Sequence, residues 1–171
     1  VLYVGTIEKR KNLLGLVEAM NGISNLDLVV VGQPTSYLKE VKAKVDQLGL
    51  NTRIMFLHEV QFADLPGIYQ QANMLVYPSE YEGFGIPILE ALNSEIPVIT
   101  TKGGCFEEAG GPNSVYVPFG DADSLRKAIQ RVNTDQELRD TMISRGLKHA
   151  QKFNEKALVD GLMLTYQKTT R

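Results

Sequence analysis

The sequence holds a single cysteine, Cys105, among 171 residues. That excludes an internal disulfide and suits a reducing compartment, so a cytoplasmic setting is expected. No cluster of His or Asp stands at metal-ligand spacing, so no metal is expected. No apolar run approaches the roughly 20 residues that a bilayer span needs. There is no basic excess: 18 Lys and Arg stand against 20 Asp and Glu, a formal charge of −2. A nucleic-acid partner is therefore not expected. Repeats, linkers and low-complexity runs are absent, so 1–171 reads as one domain with a full core, too short for two ordinary ones. No secretory leader is expected, since residue 1 already begins an apolar strand, VLYVG. A folded chain rarely starts inside a strand, so a piece of something longer is expected, and a bilayer-surface role for the parent stays open.

What is present is an alternation of short apolar runs with helix-spaced segments. Strands are predicted at Val1–Val4, Leu26–Val31, Thr52–Leu57, Met74–Tyr77, Pro97–Thr100 and Ser114–Pro118. Between them, helical spacing covers Leu13–Met20, Tyr37–Leu48, Asp64–Ala72 and Ile86–Asn93. Asp64 reads as a cap and Gly49 as a helix stop. Asp121 caps a further helix to about Val132, and two more follow, about Asp135–Phe153 and Asn154–Lys168. This alternation predicts an α/β fold: a Rossmann-like, doubly wound, six-stranded parallel sheet with helices on both faces.

The densest stretch runs from Tyr77 to Ala91, YPSEYEGFGIPILEA. A strand end closed by Pro78, a polar turn, Gly83-Phe84-Gly85 and a helix start make a place where free backbone N–H groups point at an anion. Pro87 fits the first turn, where its missing N–H costs nothing. Glu82 stands just before the glycines, and Glu90 lies eight residues on, about one turn inside the helix. Each acid has an ordinary reading: Glu82 as a cap-like residue, Glu90 as a solvated side chain favoured by the helix dipole. Each also has a functional one. A phosphate on the amides, with an acid one turn away for ribose hydroxyls, is how a nucleotide is held at a strand-to-helix turn. Upstream, Arg10 and Lys11 stand between the first strand and a helix N-terminus. Cations are unfavourable there unless an anion joins them; the bland alternative is a solvated charged loop. Lys11, Val60, Glu82 and Glu107 all follow strands, and such loops gather at the carboxyl edge of a parallel sheet, where ligands bind.

EGFGIPILE is an E-x7-E element, and PSEYEGFGIPILEA resembles the signature of the group 1, family 4 retaining glycosyltransferases. The resemblance runs from Val1 to about Tyr166. It implies the C-terminal, donor-binding half of a GT-B fold, with an N-terminal acceptor-binding half in the same parent chain. It further implies transfer of a mannose- or glucose-type sugar from a nucleoside-diphosphate sugar to a glycan or lipid, with retention and without a metal or other cofactor. By position, Glu82 would contact the transferred sugar. Phe84 and Gly85 would place amides by the sugar and diphosphate, and Glu90 would bind ribose hydroxyls. Lys11 matches the family's diphosphate-gripping Lys. The family's Arg just after the Gly is Thr6 here, and Arg10 is the candidate substitute, since a guanidinium suits bidentate phosphate contact.

Within the same resemblance, Val60 would touch the nucleobase, and Glu107 stands at the usual acidic position near the donor. His58 and Glu95 stand where the family usually has Gly. Glu95 must either avoid the left-handed conformation or accept about 1 kcal/mol of strain. Cys105 reads as a small packed residue, with no His–Asp arrangement to activate it. The final stripe, Phe153, Ala157, Leu158, Leu162 and Tyr166, packs on its own domain or, as the family implies, is partly directed towards the N-terminal half. A non-catalytic or dinucleotide-binding Rossmann module is the alternative, but GTIEKRKN lacks the G-x-G-x-x-G spacing. A receiver-like module would need a cluster of acids after the first strand, and none is there.

Overall fold

The computed structural model describes residues 1–154 and 159. Most of the helix predicted over 154–168, and most of its apolar stripe, lie outside the described residues. Six strands form one sheet: β1 Leu2–Val4, β2 Leu28–Val31, β3 Ile54–Leu57, β4 Leu75–Tyr77, β5 Val98–Thr101 and β6 Val115–Val117. All pair in parallel, in the order β3-β2-β1-β4-β5-β6. Seven α-helices are described: α1 Leu13–Met20, α2 Leu38–Gln47, α3 Leu65–Gln71, α4 Ile86–Asn93, α5 Cys105–Gly110, α6 Ala122–Thr134 and α7 Gln136–Ala150. Every strand begins one or two residues later than the apolar runs predict. Val1, Leu26 and Met74 are buried all the same. Hydrophobicity reports burial, and a residue at the sheet's end is buried without a ladder partner.

Side chains alternate across the sheet, as a pleated strand requires. Tyr3, Leu28, Val30, Ile54, Val76 and Ile99 pack with Leu13, Leu16, Val41, Leu125 and Ile129 of α1, α2 and α6. Leu2, Val4, Val31, Leu75, Tyr77 and Val98 pack on the other face with Tyr69, Ile88, Leu92 and Phe106 of α3, α4 and α5. Each fully buried large apolar side chain contributes about 1.5–3 kcal/mol. Helices cover both faces of the central strands, which is why these read as near-continuous apolar runs, while Met55 of the edge strand β3 is exposed.

The caps are mixed. Asp121 accepts from the Ser124 N–H and Asp135 from the Leu138 N–H, each at 2.9 Å. Asp64 departs from its predicted role: its side chain makes no cap bond, and its own backbone is helical at φ −89°, ψ −17°. A cap side chain reaches back only from an extended backbone, and here a 3-10 turn, Phe62–Asp64, feeds α3 directly. Glu95 takes the left-handed conformation at φ 58° and so carries the strain that a glycine would avoid.

Strand order reverses between β1 and β4. Their carboxyl-end loops, which belong to opposite directions of winding, meet over one crevice. Gly32, just after β2, lets the neighbouring loop close in: a Cβ there would stand 1.9 Å from the Gly5 carbonyl oxygen. Among the described residues no helix is long and apolar enough to cross a membrane.

Candidate functional site

β1 ends at Val4, and from Gly5 the chain runs on to a 3-10 turn, Lys9–Lys11, closed by Asn12 in the left-handed region (φ 52°, ψ 36°). Asn is one of the few side chains that enters this region readily. The turn folds Arg10 and Lys11 back over the loop that follows β4, where the Glu80 N–H donates to the Arg10 carbonyl at 2.8 Å. The Lys11 stem lies across Gly5, where a Cβ would stand 3.1 Å from the ammonium. Lys11 is buried, at 8% exposure, so its charge needs partners.

Those partners come from β4 and its loop. The Lys11 ammonium donates to the Tyr77 hydroxyl at 3.1 Å and lies 3.1 Å from Glu82 Oε1. The Arg10 guanidinium reaches the same oxygen at 2.9 Å, and the buried Ser79 hydroxyl donates to it at 3.0 Å. The Tyr77 hydroxyl and Glu82 thus share the Lys11 ammonium. Burial pushes the Glu82 carboxyl up, but the hydrogen bonds from Tyr77, Arg10 and Lys11 outweigh it and hold the group below its ordinary value. Burial pushes the Tyr77 phenol far up, so it stays a protonated donor. The hydrogen bond to Glu82 raises the Arg10 guanidinium above its already high value. Cys105 Sγ donates to the Glu82 carbonyl at 3.2 Å, so this cysteine pins the loop.

Of the remaining predicted residues, Gly85 is buried and left-handed at φ 96°, ψ 46° where it caps α4. That conformation needs glycine and aims the first amides of α4. Pro87 falls in the first turn as expected. Phe84 packs edge-on against Phe153, with centroids 5.4 Å apart. Glu90 sits in the second turn of α4, and its Oε2 accepts from the Tyr69 hydroxyl at 2.7 Å. It lines a cavity of about 290 Å³ with Phe62, Leu65, Tyr69 and Leu89. Glu107 accepts from the Gly103 N–H at 3.2 Å and so shapes the loop after β5. Val60 lines an open hollow of about 420 Å³ with Phe56 and His58 at the end of β3. His58 Nδ1 lies 3.0 Å from the Gly32 carbonyl, tying the β2 and β3 loops together. Thr6 is exposed, and Arg10 rather than Thr6 joins Lys11 at the crevice.

The structure thus brings Arg10, Lys11 and Glu82 into one cluster. It does not bring the others to that cluster: Glu90 pairs with Tyr69, Glu107 with the Gly103 amide, and Val60 lines a separate hollow. By the resemblance Glu82 would contact the transferred sugar; its carboxylate lies on Arg10 and Lys11. Periodicity reads Tyr77 as a strand end and Tyr69 as packing. Both rings are buried as expected, yet the Tyr77 hydroxyl meets Lys11 and the Tyr69 hydroxyl holds Glu90. The available signal was chemical: a buried tyrosine hydroxyl needs a hydrogen-bond partner. Among the described residues no group of three or more His, Cys, Asp or Glu is placed to hold a metal.

The family model described as glycosyl transferases group 1 matches residues 1–149, across every strand and loop just described. The chain belongs to that family. It is 33% identical over 159 residues to the O-antigen chain mannosyltransferase B of Escherichia coli, which takes in 90% of this chain and 42% of that protein. Sucrose-phosphate synthase from Thermosynechococcus elongatus superposes with a TM-score of 0.88 at 27% identity, over 99% of this chain and 45% of that one. The C-terminal domain of the group 1 glycosyl transferase LpcC from Francisella tularensis gives 0.77 at 25% identity, over 89% of this chain and 84% of that one. The chain spans less than half the length of the curated relatives it matches. Within the family it corresponds to the C-terminal domain of the GT-B fold.

Proposed function

We propose that this chain is the donor-binding half of a glycosyltransferase that takes its sugar from a nucleoside-diphosphate sugar, of mannose or glucose type, and retains anomeric configuration. One observation carries the reading: two cations from the β1 loop and a carboxylate from the β4 loop converge at the crevice where strand order reverses. Arg10 and Lys11 grip the diphosphate. The first amides of α4, opened by Gly85, add donors at a helix N-terminus. Glu90 takes the ribose hydroxyls, and Val60 touches the base.

In the transition state the diphosphate leaves with growing negative charge. Fixed cations and amides stabilise that charge without reorganising, which is the electrostatic task a metal performs elsewhere. No cofactor enters this scheme. Glu82 orients the donor sugar. The acceptor, a glycan or lipid, belongs to an N-terminal domain of the parent chain, which also closes the site against water. The E. coli relative's name, a mannosyltransferase of O-antigen chains, supports a mannose-type donor and a glycan acceptor.

Calorimetric titration with UDP, GDP, ADP and NAD tests the proposal. A response to one nucleoside diphosphate above the others is expected. Preference for NAD, or no response to any nucleoside diphosphate, would overturn it.

A further inference from the structure

We infer that Glu82 is a stand-in anion: its carboxylate lies on the two cations that would hold the diphosphate, and an incoming diphosphate must displace it. This rests on the functional reading above and adds a step to it. A single oxygen, Oε1, collects Arg10 at 2.9 Å, Ser79 at 3.0 Å and Lys11 at 3.1 Å. Several donors converging on one oxygen is the coordination that a phosphate oxygen takes. Arg10 is also paired with Glu8, at 2.7 Å, so Lys11 rests on Glu82 and Arg10 on both acids. Lys11 in particular is enclosed by Glu82, the Tyr77 hydroxyl and the Tyr77 ring, whose centroid is 5.3 Å from the ammonium.

Glu82 is able to leave. It stands on the stretch between Tyr77 and Ile86, outside strand and helix. The Arg10 side chain, 30% exposed, opens the cluster to solvent on one side. A diphosphate carries more charge than a carboxylate and more oxygens to share among Arg10, Lys11 and the α4 amides, so the exchange favours it. A ligand with a single carboxylate offers no such surplus. Glu82 thereby sets a charge threshold for entry. Its displacement also frees the carboxylate for the donor sugar only once the diphosphate is seated, so ligand binding and placement of Glu82 become one event.

The probes are inorganic pyrophosphate, UDP, GDP and the unphosphorylated nucleosides, titrated by calorimetry into the wild-type chain, Glu82→Gln and Ser79→Ala. Glu82→Gln keeps an oxygen for Ser79 but removes the competing charge from Lys11, leaving Glu8 on Arg10 in both forms. Its pyrophosphate Kd should fall at least about fivefold. Ser79→Ala loosens Glu82 without touching a charge, and its Kd should fall by a smaller factor. Nucleosides should be indifferent to both changes. If Glu82→Gln does not fold, Ser79→Ala decides. Should nucleoside diphosphates bind while pyrophosphate affinity stays level or weakens in the folded variants, the exchange is wrong and the functional reading stands. Should no diphosphate bind any form, both fall.

Discussion

The Tyr69 hydroxyl donates to Glu90 Oε2 at 2.7 Å and so joins α3 to α4. Burial and the Glu90 charge push this phenol far up, so it remains a donor throughout the ordinary pH range. This bond orients the Glu90 carboxylate.

Glu90→Ala should weaken a ribonucleoside diphosphate more than its 2′,3′-dideoxy analogue, because only the former offers hydroxyls to the carboxylate. Calorimetry on both ligands reads the difference. Equal losses would reduce Glu90 to a partner of Tyr69.

Lys11→Ala should weaken nucleoside diphosphate binding by about 1.5–3 kcal/mol, the scale of a charge-assisted hydrogen bond. The double variant with Arg10→Ala should lose more, and the salt dependence of the remaining affinity should flatten. An unchanged Kd in the double variant would remove both residues from the diphosphate site.

Stability should carry the signature of Glu82. Its carboxyl is held below the ordinary value in the fold, so the folded state binds its proton less readily than the unfolded chain does. The stabilisation is complete above the unfolded value of about 4.3 and is lost as pH falls through the lower folded value. Urea unfolding should therefore show an advantage of wild type over Glu82→Gln that is level from about pH 7 to about pH 5 and shrinks below that. A difference that does not change with pH would mean the ion pairs contribute nothing to folding.

Gly32→Ala should be among the most damaging single-methyl additions in the chain. Its Cβ would stand 1.9 Å from the Gly5 oxygen, a backbone atom that has no rotamer to change. A loss of about 3 kcal/mol or more is expected from the forced separation of the β1 and β2 loops. Chemical denaturation measures it, and a wild-type midpoint would refute the close approach.

Much of this was legible along the chain. Strands such as Leu28–Val31 showed themselves because a sheet covered on both faces needs unbroken apolar runs. The turn at Gly85 showed itself because the left-handed entry to α4 needs glycine. Cap chemistry was legible at Asp121 and misleading at Asp64, where a preceding 3-10 turn set the backbone angles first. The Cys105 bond to the Glu82 carbonyl had no sequence signal, since a thiol's partner is chosen by whichever loop lies over it.

The sequence by itself determined the alternation of strand and helix, the turn that opens α4 and the placement of the charged residues after strands. Those follow from local backbone preference and from the spacing of apolar side chains, which act within a few residues. Only the tertiary structure decided that Lys11 meets Tyr77, 66 positions away, and that Glu82 lies on Arg10 and Lys11. That contact exists because β4 inserts beside β1, a pairing that depends on how all six strands are ordered. A local pattern carries no information about that order, and a carboxylate settles wherever the nearest buried cations leave it the lowest electrostatic energy.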